Sequence, residues 1–149
     1  MSKLPTTINY KGYAIPTGTS NRDETERRKI INDFYRKWFQ KNEEKRVKNT
    51  SLGTLIHVNK DSRKETQKWG SLSFRSTLTV LELSYVLKNA VVTGKDDPKP
   101  GNKSQKKYSK MLIMECVVPK LRPYVVTAKL TVGVRRSDSQ RLQYCLTAK

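Results

Sequence analysis

Apolar residues change their period part-way along the chain. Ile30, Ile31, Phe34, Tyr35, Trp38 and Phe39 recur at steps of three and four, the spacing of one helical face. Ser20 and Asn21 precede this stripe as N-cap side chains, and Asp23, Glu24 and Glu26 suit the positive end of a helix dipole. The pattern predicts an amphipathic helix over 21–42, with Arg27, Arg28, Lys29, Arg36, Lys37 and Lys41 on its remaining faces. Residues 1–20 read as an extended lead-in, in which 10–16 forms a short strand with a turn. Val47 and the run Thr54–Val58 flank the turn signal Asn49–Gly53 and pair as a hairpin. A short helix over 63–69 is broken at Gly70-Ser71, and a longer one runs from about Ser73 to Asn89. Its residues Phe74, Leu78, Leu81 and Tyr85 line one face, and Val80, Leu83 and Leu87 another, so it reads as the buried central helix.

In the last third the period falls to two. Val126, Ala128, Leu130, Val132 and Val134 point one way, and Lys129, Thr131 and Arg135 the other. Over 142–146, Leu142, Tyr144 and Leu146 take the apolar side, with Arg141, Gln143, Cys145 and Thr147 opposite. Together with 108–118 these runs predict three antiparallel strands joined by short turns, and 90–93 adds a short strand. Helices first and a meander last give an α+β fold: the N-terminal amphipathic helix and the buried central helix pack on one face of a C-terminal antiparallel sheet. One domain over 1–149 is expected, its core at 47–149. The Pro-, Gly- and Lys-rich segment 94–107 reads as a mobile surface loop.

Charge narrows the function. The chain has 149 residues, a formal charge of +18 and 35% hydrophobic residues. Residues 98–149 carry 12 basic and 2 acidic side chains, more than half of the excess. Such a concentration suits a polyanion, because each neutralised phosphate releases counterions. No apolar run reaches membrane-span length, and 1–5 lacks the apolar core of a signal peptide, so a cytoplasmic location without membrane contact is expected. Cys116 and Cys145 make no disulfide framework, and with a lone His they give no zinc spacing. Nucleotide-binding loops and metalloprotease or hydrolase motifs are absent from the sequence. No metal and no cofactor is expected.

The open side of the sheet is the candidate nucleic-acid surface. Lys129, Thr131, Arg135, Arg141, Gln143 and Thr147 collect there, with Lys110 at the start of the first strand and Arg136 in the following turn. Cations and hydrogen-bonding groups on a sheet face suit a single-stranded backbone and its bases, although the solvated side of any antiparallel sheet alternates in the same way. By parity Tyr144 falls on the core side, which leaves this face without a stacking aromatic. His57 is the single imidazole, a general acid or base near neutral pH, and Lys60 and Lys64 follow it as candidate cations for a transition state. A structural role for His57 remains the competing reading.

From Ser51 to Thr147 the chain resembles domains found within large polyvalent proteins of phages and conjugative elements. These domains are linked to the barnase–EndoU–colicin–RelE-like (BECR) nuclease fold. The resembling pieces are LGTLIHV at 52–58, LTVLEL at 78–83, LKNAV at 87–91, YSKMLI at 108–113, AKLTVGVR at 128–135 and LQYCLT at 142–147. Small proteins of Bacteroidales mobile elements look similar. The resemblance implies helices on one side of an antiparallel sheet and RNA on the other, with the helix at 21–42 an addition outside that core. It supplies no catalytic set that matches residue by residue. The resulting expectation is a protein of a phage or mobile element that interacts with RNA in preference to DNA. Its catalytic form would be a metal-independent endoribonuclease working through the 2′-hydroxyl. The alternative is a non-enzymatic interaction or inhibitor protein that binds a host protein or DNA.

Overall fold

The computed structural model describes residues 5–121 and 123–149. The fold is α+β, as the change of period implies. The chain starts with an antiparallel hairpin of β1 (Thr7–Tyr10) and β2 (Tyr13–Pro16). Its turn residues Lys11 and Gly12 both have positive φ, which matches the twist of a two-residue hairpin loop. The lead-in is therefore a folded element from Thr7 onwards.

Helix α1 (Asn21–Lys41) is capped by Ser20, whose hydroxyl accepts from the Asp23 amide at 3.1 Å. Its inner stripe is Arg27, Ile31, Tyr35 and Trp38. Arg27, expected on a polar face, is fully buried because it stands one turn before Ile31. Its Nε donates to the Ser71 carbonyl at 2.7 Å, and its Nη1 donates to the carbonyls of Pro16 (2.8 Å) and Gly18 (2.7 Å). Three carbonyls thus replace the acid that a buried guanidinium ordinarily needs.

β3 (Arg46–Asn49) and β4 (Thr54–His57) form the second hairpin, and α2 (Lys60–Gly70) follows from a capping box of Asn59 and Ser62. The long central helix is two helices, α3 (Phe74–Val80) and α4 (Leu83–Asn89). Thr77 Oγ1 donates to the Gly70 carbonyl at 2.9 Å, which ties α3 to the end of α2, and Thr79 Oγ1 donates to the Arg75 carbonyl at 2.8 Å. Glu82, at the break, is buried and accepts from the Tyr10 hydroxyl and the Lys11 ammonium. Both apolar faces of 74–87 are buried all the same, through two helix axes instead of one.

β5 (Val91–Asp96), β6 (Tyr108–Val117), β7 (Thr127–Arg135) and β8 (Arg141–Ala148) complete a six-stranded sheet in the order β3-β4-β8-β7-β6-β5. The meander is antiparallel as expected, but β4 joins β8 in parallel, so the sheet is mixed. The segment 94–107 is less loop-like than its composition implies. Gly94–Asp96 pairs with β6, Lys103–Gln105 forms a 3₁₀ turn, and Gln105 is buried with its Oε1 accepting from the Lys99 amide at 2.8 Å.

The helices pack on one side of the sheet, against Leu112, Met114, Ala128, Leu130, Val132 and Leu146. β4 covers only Arg141 and Leu142 of β8. Beyond them, hydroxyls from the helices take over the exposed edge. Ser62 Oγ donates to the Gln143 carbonyl, Thr66 Oγ1 accepts from the Leu146 amide at 3.2 Å, and Ser76 Oγ accepts from the Ala148 amide at 2.9 Å. These bonds satisfy backbone groups that an unpaired edge would leave orphaned, and they hold α2 beside the far face of the sheet.

Candidate nucleic-acid interface

Strand register builds the far face. One row crosses all six strands: Arg46, His57, Leu142, Gly133, Met111 and Asp96. The next rows hold Cys145, Thr131 and Ile113, then Thr147, Lys129 and Glu115. Lys129, Thr131 and Thr147 therefore stand where alternation puts them.

Two β-bulges displace Gln143, Arg141 and Lys110. Thr131 pairs with Cys145 and Val132 with Gln143, so Tyr144 is the extra residue. Gln143, expected on the open face, is turned to the helices and fully buried. There Tyr35 donates to its Oε1 at 2.9 Å, and its Nε2 donates to Thr66 at 2.8 Å. Arg141 pairs with Val134 and Ile56, on the helix-side register, half-buried with its Nε unpartnered. Lys110 also pairs with Val134, because Ser109 is the extra residue of the second bulge. Arg135 keeps the far-face register, but its guanidinium is tied to Asp138 (2.5 Å) and to Gln140 Oε1 (2.8 Å). Arg136 is exposed in the turn, with its backbone amide on the Lys107 carbonyl. Tyr144, expected in the main core, is on the far face.

The middle of that face is covered. Tyr108, Met111, Leu142, Tyr144 and Cys145 form a small second core there. The rings of Tyr108 and Tyr144 meet edge to face at 6.0 Å, and the Tyr144 hydroxyl bonds Ser104 Oγ of the 3₁₀ turn at 2.6 Å. This cluster splits the face into two regions.

One region surrounds His57. The hairpin turn sets Arg46 directly across from it, and Arg135 and Asp138 are close enough to act on its charge. Burial is the largest cause that lowers the His57 pKa below its usual 6.5, followed by the fields of Arg46 and Arg135, with Asp138 opposing. The imidazole is held neutral at pH 7 and can accept a proton. Lys60 and Lys64 do not join it. They lie around Asp61, whose carboxyl is held below its usual range chiefly by the bond from Lys107 Nζ.

The other region is a groove of about 650 Å³. Its floor includes Met111, Ile113, Lys129, Thr131, Cys145 and Thr147. Glu65, Lys68 and Trp69 of α2 form one wall, and Asp96, Asp97, Lys99 and Asn102 another. The face carries three carboxylates and three lysines here, and Lys149 pairs Glu115 at 2.9 Å beside it. Among the described residues no group of three or more His, Cys, Asp or Glu side chains could hold a metal ion, and no helix is long and apolar enough to cross a membrane.

Sequence reasoning overlooked Arg46, Trp69 as a groove wall and the Asp96-Asp97 pair. Arg46 was within reach, since the turn at 49–53 fixes which residue opposes His57. The bulges carry no comparable signal.

A family model described as large polyvalent protein-associated domain 3 matches residues 23–140. The chain belongs to that family. The domain 3 match takes in α1 from Asp23 onwards and every strand of the six-stranded sheet except β8, and α1 supplies Ile31, Tyr35 and Trp38 to the main core. A domain associated with polyvalent proteins suggests a protein associated with a phage or mobile element. No curated protein and no solved structure matches the chain.

Proposed function

We propose that this domain 3 protein interacts with RNA, and that the His57 region is where it acts on the phosphodiester. The observation that carries the reading is the arrangement of a neutral-leaning imidazole across from Arg46 and near Arg135. A 2′-hydroxyl attack needs a base to take the proton, cations for the charge that develops on the phosphoryl oxygens, and an acid for the leaving 5′-oxygen, a proton that the protonated base or water returns. His57 has the first property, and Arg46 and Arg135 have the second. The net charge of +18 draws the polyanion to the surface. Incubating structured RNA and tRNA with the protein in EDTA tests the reading. The expected products are a 2′,3′-cyclic phosphate and a 5′-hydroxyl, with cleavage in His57→Gln slowed roughly a hundredfold or more. Equal rates in the variant would remove His57 from the reaction.

A second reading has an observation of its own. Arg135 is tied to Asp138 and Gln140, and Lys60 and Lys64 act on the charge of Asp61 while Arg46 and Arg135 are the cations that act on His57, so the cations around the imidazole are fewer than the sequence offers. This favours a binding protein without chemistry. RNA binding with no cleavage of any substrate would select it.

A further inference from the structure

Asp96 and Asp97 are adjacent carboxylates in a chain with more than two basic residues for each acid. Both are exposed, and neither makes a side-chain hydrogen bond or an ion pair with another described residue. Asp61, Glu82, Glu115 and Asp138 each have a basic partner. The Asp pair borders the groove, opposite the α2 wall that contributes Trp69. That indole is 46% exposed, and its Nε1 donates to Glu65 Oε2 at 3.3 Å, which fixes the ring orientation. Lys68 Nζ is 5.0 Å from the ring centroid. Lys129 and Thr131, on the floor, make no side-chain hydrogen bond or salt bridge with another described residue, although Lys129 stands across from Glu115 and acts on its charge.

A groove with balanced charge is a poor site for a bare polyanion, and elsewhere this surface is strongly basic. What fits is a flat, neutral, hydrogen-bonding group attached to an anion. We infer that the groove reads a nucleobase of single-stranded RNA. The base stacks on Trp69, its neighbouring phosphate lies by Lys129 and Lys68, and the Asp96-Asp97 carboxylates accept from an exocyclic amine. Carboxylates accept from the amino group of cytosine, and uracil has none, so the groove selects amino-bearing bases over uracil. Aromatic stacking itself tolerates any base, which leaves discrimination to the two carboxylates. This inference rests on the RNA reading above and adds a base preference to it.

The test is fluorescence anisotropy with labelled rC12 and rU12 over a salt series, for wild type, Asp96→Ala/Asp97→Ala and Trp69→Ala. Circular dichroism confirms that each variant is folded. The expected wild-type preference for rC12 is roughly fivefold to a hundredfold, the usual worth of a good base contact. In the double aspartate variant the preference falls to about one while the salt slope is retained. In Trp69→Ala both oligomers bind more weakly. Equal wild-type binding of rC12 and rU12 with a normal salt slope overturns the base-reading groove and leaves the RNA reading standing. A preference for rC12 that survives in the double variant also overturns it. No binding to either oligomer overturns both.

Discussion

The ring of Tyr108 lies flat against the backbone of Gly133: a Cβ placed on Gly133 would stand 2.6 Å from Tyr108 Cδ1. No real Cβ approaches a ring that closely, so this position on β7 needs glycine for space and not for its φ. The contact is what lets the second core form on a sheet face that alternation makes polar.

Gly133→Ala is therefore expected to push Tyr108 off the strand and loosen Tyr144 and the 3₁₀ turn. The cost should be about 1–3 kcal/mol, as for other overpacked sites. Thermal unfolding reads it, and a midpoint equal to wild type would mean that the ring moves aside freely.

The Thr66 hydroxyl accepts from the Leu146 amide and from Gln143 Nε2. Thr66→Val keeps the shape and leaves both donors buried without an acceptor. A loss of about 1–3 kcal/mol in urea unfolding is expected, with faster hydrogen exchange at the Leu146 amide. Unchanged exchange there would show that the edge of β8 does not depend on α2.

Much of this architecture is legible in residue order. The stripe Ile31-Tyr35-Trp38 places α1, and Val126 to Val134 places β7, because burial on one side imposes periods of 3.6 and 2. Tyr144 shows where such reasoning fails. One extra residue in β8 moves every side chain before it to the other face, which buries Gln143 and half-buries Arg141. A bulge comes from pairing between strands distant in sequence, so no local pattern announces it. Arg27 fails for a related reason: its charge suggests solvent, but its helical position and three carbonyls decide otherwise. The candidate site was half visible. His57, Lys129 and Thr131 could be named, but the partners of His57 come from β3 and β7.

His57 gives a pH signature with a definite sign. Its folded pKa is lowered, so below pH 6.5 the unfolded chain binds this proton more readily than the folded one. The stability due to neutral His57 is fully present above 6.5 and is lost as the pH falls towards the lower folded value. His57→Gln should remove that part of the pH dependence. An NMR titration with a midpoint at or above 6.5 would contradict the burial and the Arg46 and Arg135 fields assigned to this side chain.

Asp138 acts at lower pH. Its carboxyl is held down to about 2, first by the Arg135 hydrogen bond and then by the Gln140 amide. The stabilisation is present above its ordinary 3.8 and disappears as the pH falls towards 2. Asp138→Asn should therefore unfold like wild type near pH 2 and differ from it above pH 4. A constant difference across that range would show that the turn is held by geometry and not by charge.

Which cations engage RNA decides whether the far face of the sheet is an RNA surface. The deciding measurement is the salt dependence of affinity for a single-stranded RNA 20-mer, for wild type and two triple variants. Arg46, Lys129 and Arg136, all exposed, are replaced by Ala in one. Arg22, Lys29 and Lys41, exposed on α1, are replaced in the other. The expected wild-type slope of log affinity against log salt is roughly −2 to −4, equal to three to six phosphates at about 0.7 each. The first triple should weaken binding and flatten the slope by up to about 2, and the α1 triple should leave both nearly unchanged. Equal losses in the two variants, or no binding at low salt by the wild type, would contradict an RNA surface on the far face of the sheet.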